Sequence, residues 1–221
     1  VDLGADFRLQ DTAVYEEYYE LKHQGQDILA EAVYGLPELY RDKIRESRIV
    51  ANPGCYPTSA ILPLAPLLKA GLLDSEGIIV DSKSGVTGAG REPKGSSHFC
   101  EVNEGLHAYG VGTHRHAPEI AQELSIAAGK PVEMFFTPHL VPMNRGILST
   151  IYARLAPGAE AGDIRQALEA KYNEEPFVQV LPPGIMPHTK WVYGSNQAHI
   201  GIHVDEKRRM VILGSAIDNL T

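Results

Sequence analysis

The residues best suited to chemistry centre on Asn52-Pro53-Gly54-Cys55-Tyr56-Pro57-Thr58. Arg48 to Ala51 reads as a strand. It runs into a tight Pro-Gly turn, and apolar spacing then predicts a helix from Cys55 to about Lys69. The start of a helix presents unpaired N–H groups and a positive dipole end. These favour an anion, lower a thiol pKa and can hold a developing oxyanion. A cysteine placed there is the side chain best suited to attack an activated acyl group. Cys55 is therefore expected to be a nucleophile with a lowered pKa. Cys100, in Ser97-His98-Phe99-Cys100-Glu101, lacks that context. A buried structural cysteine is the competing reading, and the strand, turn and helix start weigh against it.

A thiolate mechanism needs an acid/base, and His114-Arg115-His116-Ala117-Pro118-Glu119 supplies two imidazoles and a carboxylate. His116 is favoured over His114 because Glu119 follows it at helical spacing, where a carboxylate can fix the ring. A surface loop capping a helix is the plainer reading of the same residues. Zinc is a poor fit, since no third ligand stands at metal spacing.

Two further segments carry glycine and charge. Ser82-Lys83-Ser84-Gly85-Val86-Thr87-Gly88-Ala89-Gly90-Arg91 follows a strand; its glycines would let backbone amides approach an anion, with Lys83 or Arg91 adding charge. The spacing is not that of a dinucleotide fingerprint, and a plain loop is the alternative. Thr137 to Gly146 connects two strands. Arg145 and His139 there are candidates to meet a carboxylate or phosphate, against a purely structural connection.

These segments need a frame to position them. The chain has 221 residues, 43% hydrophobic and 22% charged, which suits one large globular domain or one domain with part of another. A formal net charge of −8 argues against nucleic acid as a partner, while a locally basic pocket remains compatible with a small anion. Two cysteines are too few for a disulfide scaffold. No apolar run approaches the ~20 residues of a membrane span. A cytoplasmic protein is expected. The opening Val1-Asp2-Leu3-Gly4-Ala5-Asp6 lacks an initiator Met and reads as the middle of a longer protein.

Val1 to Ala5 is expected as a short buried strand. Helices are expected over Thr12–Tyr19, with Asp11 or Thr12 as cap, over Pro37–Ile44, Ala117–Ala128 and Asp163–Tyr172. Pro63 and Pro66 predict a kink or irregular turn in the helix that begins at Cys55. Strands are expected over 77–82, 132–141, 147–155, 177–180, 197–204 and 209–217. Late strands without regular intervening helices predict an α+β fold.

The four segments, in this order, closely resemble the N-acetyl-gamma-glutamyl-phosphate reductase family. Val1 to Leu9 is similar to the end of that family's nucleotide domain, and Asp218-Asn219-Leu220 to the entry to its final helix. The resemblance implies an NADP-linked reductase of arginine biosynthesis that works through a Cys55 thioester. His116 or His114 would be the acid/base, with Glu119 beside them. It implies substrate contacts at Ser84, Gly85, Arg91, Arg115 and Arg145, and cofactor contacts at Gly88, Gly90 and Asn219. The substrate would be a small acyl phosphate, and the assembly a homodimer or tetramer. Residues 1–52 would be the remnant of the NADP-binding domain and 53–221 the catalytic and dimerisation domain. That domain would be a mixed, largely antiparallel sheet covered by helices, like the C-terminal domain of glyceraldehyde-3-phosphate dehydrogenase. The family's glycine-rich βαβ unit and the helix after Asn219 are missing, so weak NADPH binding by this chain alone is expected. Aspartate-semialdehyde dehydrogenase is a related alternative, against which the His-Arg-His-x-Pro-Glu segment argues. A Cys-His acyl hydrolase and a non-catalytic oligomerisation domain are alternatives of other classes.

Overall fold

The computed structural model describes residues 1–90 and 95–220. Around the nucleophile segment, a short parallel pair, β1 (Ala32–Tyr34) with β2 (Ile49–Ala51), leads into α3 (Cys55–Lys69). The first residues add one bridge to this pair, Asp2 beside Ala51. They do not form the expected buried strand: Val1 and Leu3 are 87% and 76% exposed, because no second layer lies over them to bury their side chains. Two helices frame the pair. They are α1 (Thr12–Tyr19), whose first turn donates the Ala13 N–H to the Asp11 cap, and α2 (Pro37–Glu46), with proline at its first position.

The rest is one seven-stranded sheet. In spatial order its strands are β4 (His107–Ala108), β5 (Met134–Leu140), β3 (Ile78–Ser84), β6 (Ile147–Arg154), β9 (Met210–Ile217), β8 (Ala198–Asp205) and β7 (Val178–Val180). The β3–β5 and β7–β8 pairs are parallel and the other four antiparallel. The fold is thus α+β, as the strand pattern predicted, with the mixed, largely antiparallel sheet that the family resemblance implied. Short helices α4 (Phe99–Val102) and α7 (Thr189–Val192) and the edge strand β4 escaped the sequence reading, being too short to show a period.

Alternate residues of β3, β5 and β6 point into a layer formed by α3, α5 (His116–Ala128) and α6 (Ala161–Tyr172). At the centre lies α3, buried almost all round, as an apolar helix inside a layered domain must be. Pro63 and Pro66 do not break it; the helix runs through both. Pro66 has no N–H to offer the Leu62 carbonyl one turn back. The Tyr172 hydroxyl of α6 donates to that carbonyl instead, at 2.6 Å, so the lost bond is replaced from a neighbouring helix. Three buried hydroxyls stitch α3 to the sheet: Ser59 to Ser149 at 2.7 Å and Ser149 to Ser82 at 2.6 Å.

The other sheet face is partly covered. Gly201 and Gly214 lie side by side on β8 and β9, and a β-carbon on either would sit 2.7–2.9 Å from Met186 or Pro187. That glycine pair lets the 185–187 segment lie flat on the sheet. Towards β3 and β5 the same face is open, with Ile79 42% and Phe135 68% exposed. Among the described residues no helix is long and apolar enough to cross a membrane.

Candidate active site

Cys55 is the first residue of α3, after Gly54 in extended conformation as the helix cap. It is half-buried and opens on a cleft of about 770 Å³ lined also by Arg8, His116, Asn52, Ser195 and Asn219. His116 begins α5, which packs on α3 through the core. The two helix starts therefore meet at the cleft, bringing together Cys55 and His116 from segments far apart in the chain.

His116 packs against the turn itself: a β-carbon on Gly54 would stand 2.6 Å from its Nε2. The Tyr56 ring lies edge-on to both histidines, at 5.9 Å from His116 and 5.5 Å from His114. His114 stands outside the helix and its Nδ1 accepts the His116 backbone N–H at 3.1 Å. It caps the helix that carries its neighbour. Beyond it, the Tyr109 hydroxyl meets that of Tyr56 at 2.9 Å.

Burial sets the protonation states. It lowers His116 to about 3, with His114, Arg8 and Arg115 adding to the effect. It lowers His114 to about 4, with Arg115 contributing. The expectation of a lowered thiol pKa at Cys55 is overturned: burial raises it, outweighing the Tyr56 and Cys55 backbone N–H groups that pull the other way. The helix start acts in the expected direction, but desolvation of the sulfur is larger. Both shifts favour the uncharged forms, a thiol and an imidazole.

The role expected of Glu119 is also corrected. Its Oε1 accepts the Gly54 N–H at 2.9 Å and the Tyr34 hydroxyl at 2.7 Å. Oε2 lies 3.6 Å from Arg8 Nη1, an ionic contact. His116 Nδ1 is buried and has no hydrogen-bond partner among the described residues. On this helix turn the carboxylate points down to the Cys55 turn, because an unpaired backbone N–H and an arginine wait there. Arg8 and Tyr34 went unassigned by sequence reasoning; Arg8 sits in the Val1–Leu9 segment, the one signal that could have marked it.

In the glycine loop, four consecutive N–H groups are already engaged within the protein. The N–H groups of Gly85, Val86, Thr87 and Gly88 all go to carbonyls, those of Gly146, Met143, Asn144 and Gly85. At Gly85 and Gly88 the space beside the backbone is filled by protein. A β-carbon on Gly85 would meet the Arg145 nitrogen at 2.8 Å, and one on Gly88 the Ser84 hydroxyl at 2.8 Å. Gly90 has φ +84° and open space. Asn219 lines the cleft, but its amide is spoken for by the loop. Nδ2 donates to Ser84 Oγ and the Gly85 carbonyl, and Oδ1 accepts from Thr87 Oγ1 and the Gly146 N–H. Two donors and two acceptor sites are then all used.

The expected cations are similarly engaged. Arg145 pairs with buried Asp218 at 2.9 Å and lies over the Tyr193 ring at 5.1 Å. Arg115 is exposed and lies 5.1 Å from the Tyr19 ring centroid. Lys83 and His139 sit around Asp81, at 2.9 and 3.1 Å, on the sheet face away from α3. Arg91 lies outside the described residues.

A family model described as semialdehyde dehydrogenase, dimerisation domain, matches residues 55–219. The chain belongs to that family. It is 56% identical over 221 residues to N-acetyl-gamma-glutamyl-phosphate reductase of Moorella thermoacetica, covering all of this chain and 64% of that protein. It is 58% identical over 219 residues to the reductase of the same name from Rhodospirillum rubrum, covering 99% and 62%. The chain thus spans a little under two thirds of the length of these relatives. The solved structure of aspartate semialdehyde dehydrogenase II from Vibrio cholerae superposes with a TM-score of 0.68 at 16% identity, over 86% of this chain and 64% of that one. The Francisella tularensis aspartate semialdehyde dehydrogenase gives 0.65 at 14% identity, over 86% and 67%. These two likenesses are of fold.

Proposed function

We propose that this chain carries the thioester-forming site of an NADPH-dependent reductase that converts N-acetyl-glutamyl 5-phosphate to N-acetyl-glutamate 5-semialdehyde, a step towards arginine. One observation carries the reading: a cysteine on the first turn of a buried helix opens on a ligand-sized cleft, with a histidine packed on its turn. The names of the relatives, matched along the whole chain, supply the acyl phosphate.

Cys55 Sγ attacks the acyl carbon and His116 takes the thiol proton. A C–S bond forms, the C–O bond to phosphate breaks, and phosphate leaves. The helix-start N–H groups of α3 face the developing oxyanion. NADPH, when bound, supplies the hydride that reduces the thioester. The oxyanion then collapses to the semialdehyde, the C–S bond breaks, and His116 returns its proton to the sulfur. Burial raises the Cys55 thiol and lowers His116, so the transfer is uphill in the free chain and depends on the bound acyl phosphate to draw charge into the site.

The residues fit the nicotinamide end of the cofactor, where Gly35, Leu36, Pro37 and Pro53 wall the cleft beside Cys55. They do not fit its phosphates, since the amides of residues 85–88 are all taken by carbonyls. We assign residues 1–52 to the nucleotide-binding unit and 53–221 to the catalytic and dimerisation unit, in a cytoplasmic homo-oligomer. The open sheet face at Ile79 and Phe135 supports self-association.

The test needs no cofactor. Incubation of the chain with synthetic N-acetyl-glutamyl 5-phosphate should add one N-acetylglutamyl group to Cys55 by intact and peptide mass, and Cys55→Ser should abolish it. Acylation by β-aspartyl phosphate alone would instead favour the aspartate-semialdehyde reading, and modification elsewhere would refute both.

A further inference from the structure

We propose that Arg8 and Glu119 form a clamp that positions the Cys55 turn, acting as positioning residues for the nucleophile and not as partners of His116. The proposal rests on the reading of Cys55 as nucleophile. Between β2 and α3 the chain leaves a carbonyl and an N–H that neither element satisfies, at Asn52 and Gly54. The Gly54 N–H is buried and costly without a partner, whereas the Asn52 carbonyl belongs to an exposed residue. Arg8 Nε donates to the Asn52 carbonyl at 2.7 Å, and Glu119 Oε1 accepts the Gly54 N–H at 2.9 Å. The two side chains then meet, Nη1 to Oε2, at 3.6 Å. The result is a closed ring: Asn52, Arg8, Glu119, Gly54 and back along the turn.

The ring is built to be rigid. The side chains of Arg8 and Glu119 are 10% and 1% exposed. The Tyr34 hydroxyl donates to the same Oε1 at 2.7 Å, fixing the carboxylate from β1. Gln122, one turn further along α5, donates to the Arg8 carbonyl at 3.0 Å, and its own carbonyl accepts the Gln10 N–H at 2.8 Å. Thus α5 holds both ends of the arginine while its first turn carries His116. One helix therefore sets the position of the base and, through Glu119, that of the turn bearing the thiol. The clamp also balances charge beside the sulfur: Glu119 disfavours the thiolate and Arg8 favours it.

Opposite signs give the test. Iodoacetamide alkylation of Cys55 is followed against pH in the 221-residue chain. Glu119→Gln keeps an oxygen for Gly54 and Tyr34 but removes the charge, and should raise the alkylation rate at fixed pH. Arg8→Met should lower it. Each change should reach up to about tenfold, the effect of one pKa unit on the thiolate fraction. The double variant should return towards the wild type. Shifts of the same sign, or none, would mean a merely structural ion pair and overturn the proposal. Should Arg8→Met not fold, Arg8→Gln, which can still donate to Asn52, carries the same arm. A chain in which neither folds would make the arginine a folding element and likewise overturn it. Because alkylation needs no acyl phosphate, failure here is separable from failure of the proposed reaction.

Discussion

His116 Nε2 lies 2.6 Å from the point where a β-carbon on Gly54 would stand. Gly54 has an ordinary extended backbone, φ −69° and ψ 155°, so any residue could adopt its conformation. The imidazole is what demands glycine. Gly54→Ala should therefore destabilise the protein by overpacking, about 1–3 kcal/mol. The cost should largely vanish in a His116→Ala background. A double-mutant cycle by urea denaturation checks this, and additive effects would disprove the contact.

Cys55 should behave as a hard thiol to ionise. Burial raises its pKa above the ordinary value of 9.0, so its alkylation rate should still be climbing at that pH. A rate that reaches its plateau below neutrality would show that the helix start, and not desolvation, dominates.

The two histidines should separate kinetically. In the reductase reaction, His116→Asn should cut turnover by about 10² to 10⁴, the usual contribution of a positioned acid/base. His114→Asn keeps an acceptor for the His116 N–H, so its effect should fall mainly on KM. The reverse pattern would exchange the roles.

Acid should weaken the fold partly through His116. Its folded pKa, about 3, lies below the ordinary 6.5. The unfolded chain then binds the extra proton first. The stability it contributes is full above about pH 6.5 and falls as pH drops towards 3. Glu119 and Glu123, raised above 4.5 by burial, act in the opposite sense within the same window, because the folded chain takes up their protons first as pH falls towards 4.5. The informative quantity is thus a difference. His116→Gln should show a shallower loss of urea midpoint between pH 6.5 and 4 than the wild type, and parallel curves would contradict the assignment.

Tyr172→Phe should cost about 1–3 kcal/mol, the penalty for a buried carbonyl left without a donor. Leu62 cannot find another in its own helix, since residue 66 is proline. A change within error in thermal unfolding would show that the hydroxyl bond contributes nothing.

Much was legible in the sequence because it is local. The limits of α3, a cap at Asp11 or Thr12 that the structure resolves to Asp11, the proline at the start of α2 and most strands follow from apolar period and capping chemistry within a few residues. So does the placing of Cys55 at a helix start. Motif order alone indicated the family. What the sequence left open depends on which groups the fold brings within a few ångströms. Glu119 stands three residues from His116, yet it binds Gly54, 65 residues away in sequence. The glycines of the 85–88 loop read as room for an anion, yet the Arg145 nitrogen and the Ser84 hydroxyl fill the space at Gly85 and Gly88. Two prolines read as a kink until Tyr172 arrived from another helix. Most decisively, the thiol pKa is the balance of a local dipole, which sequence shows, against desolvation, which exists only once α3 is packed into its layer.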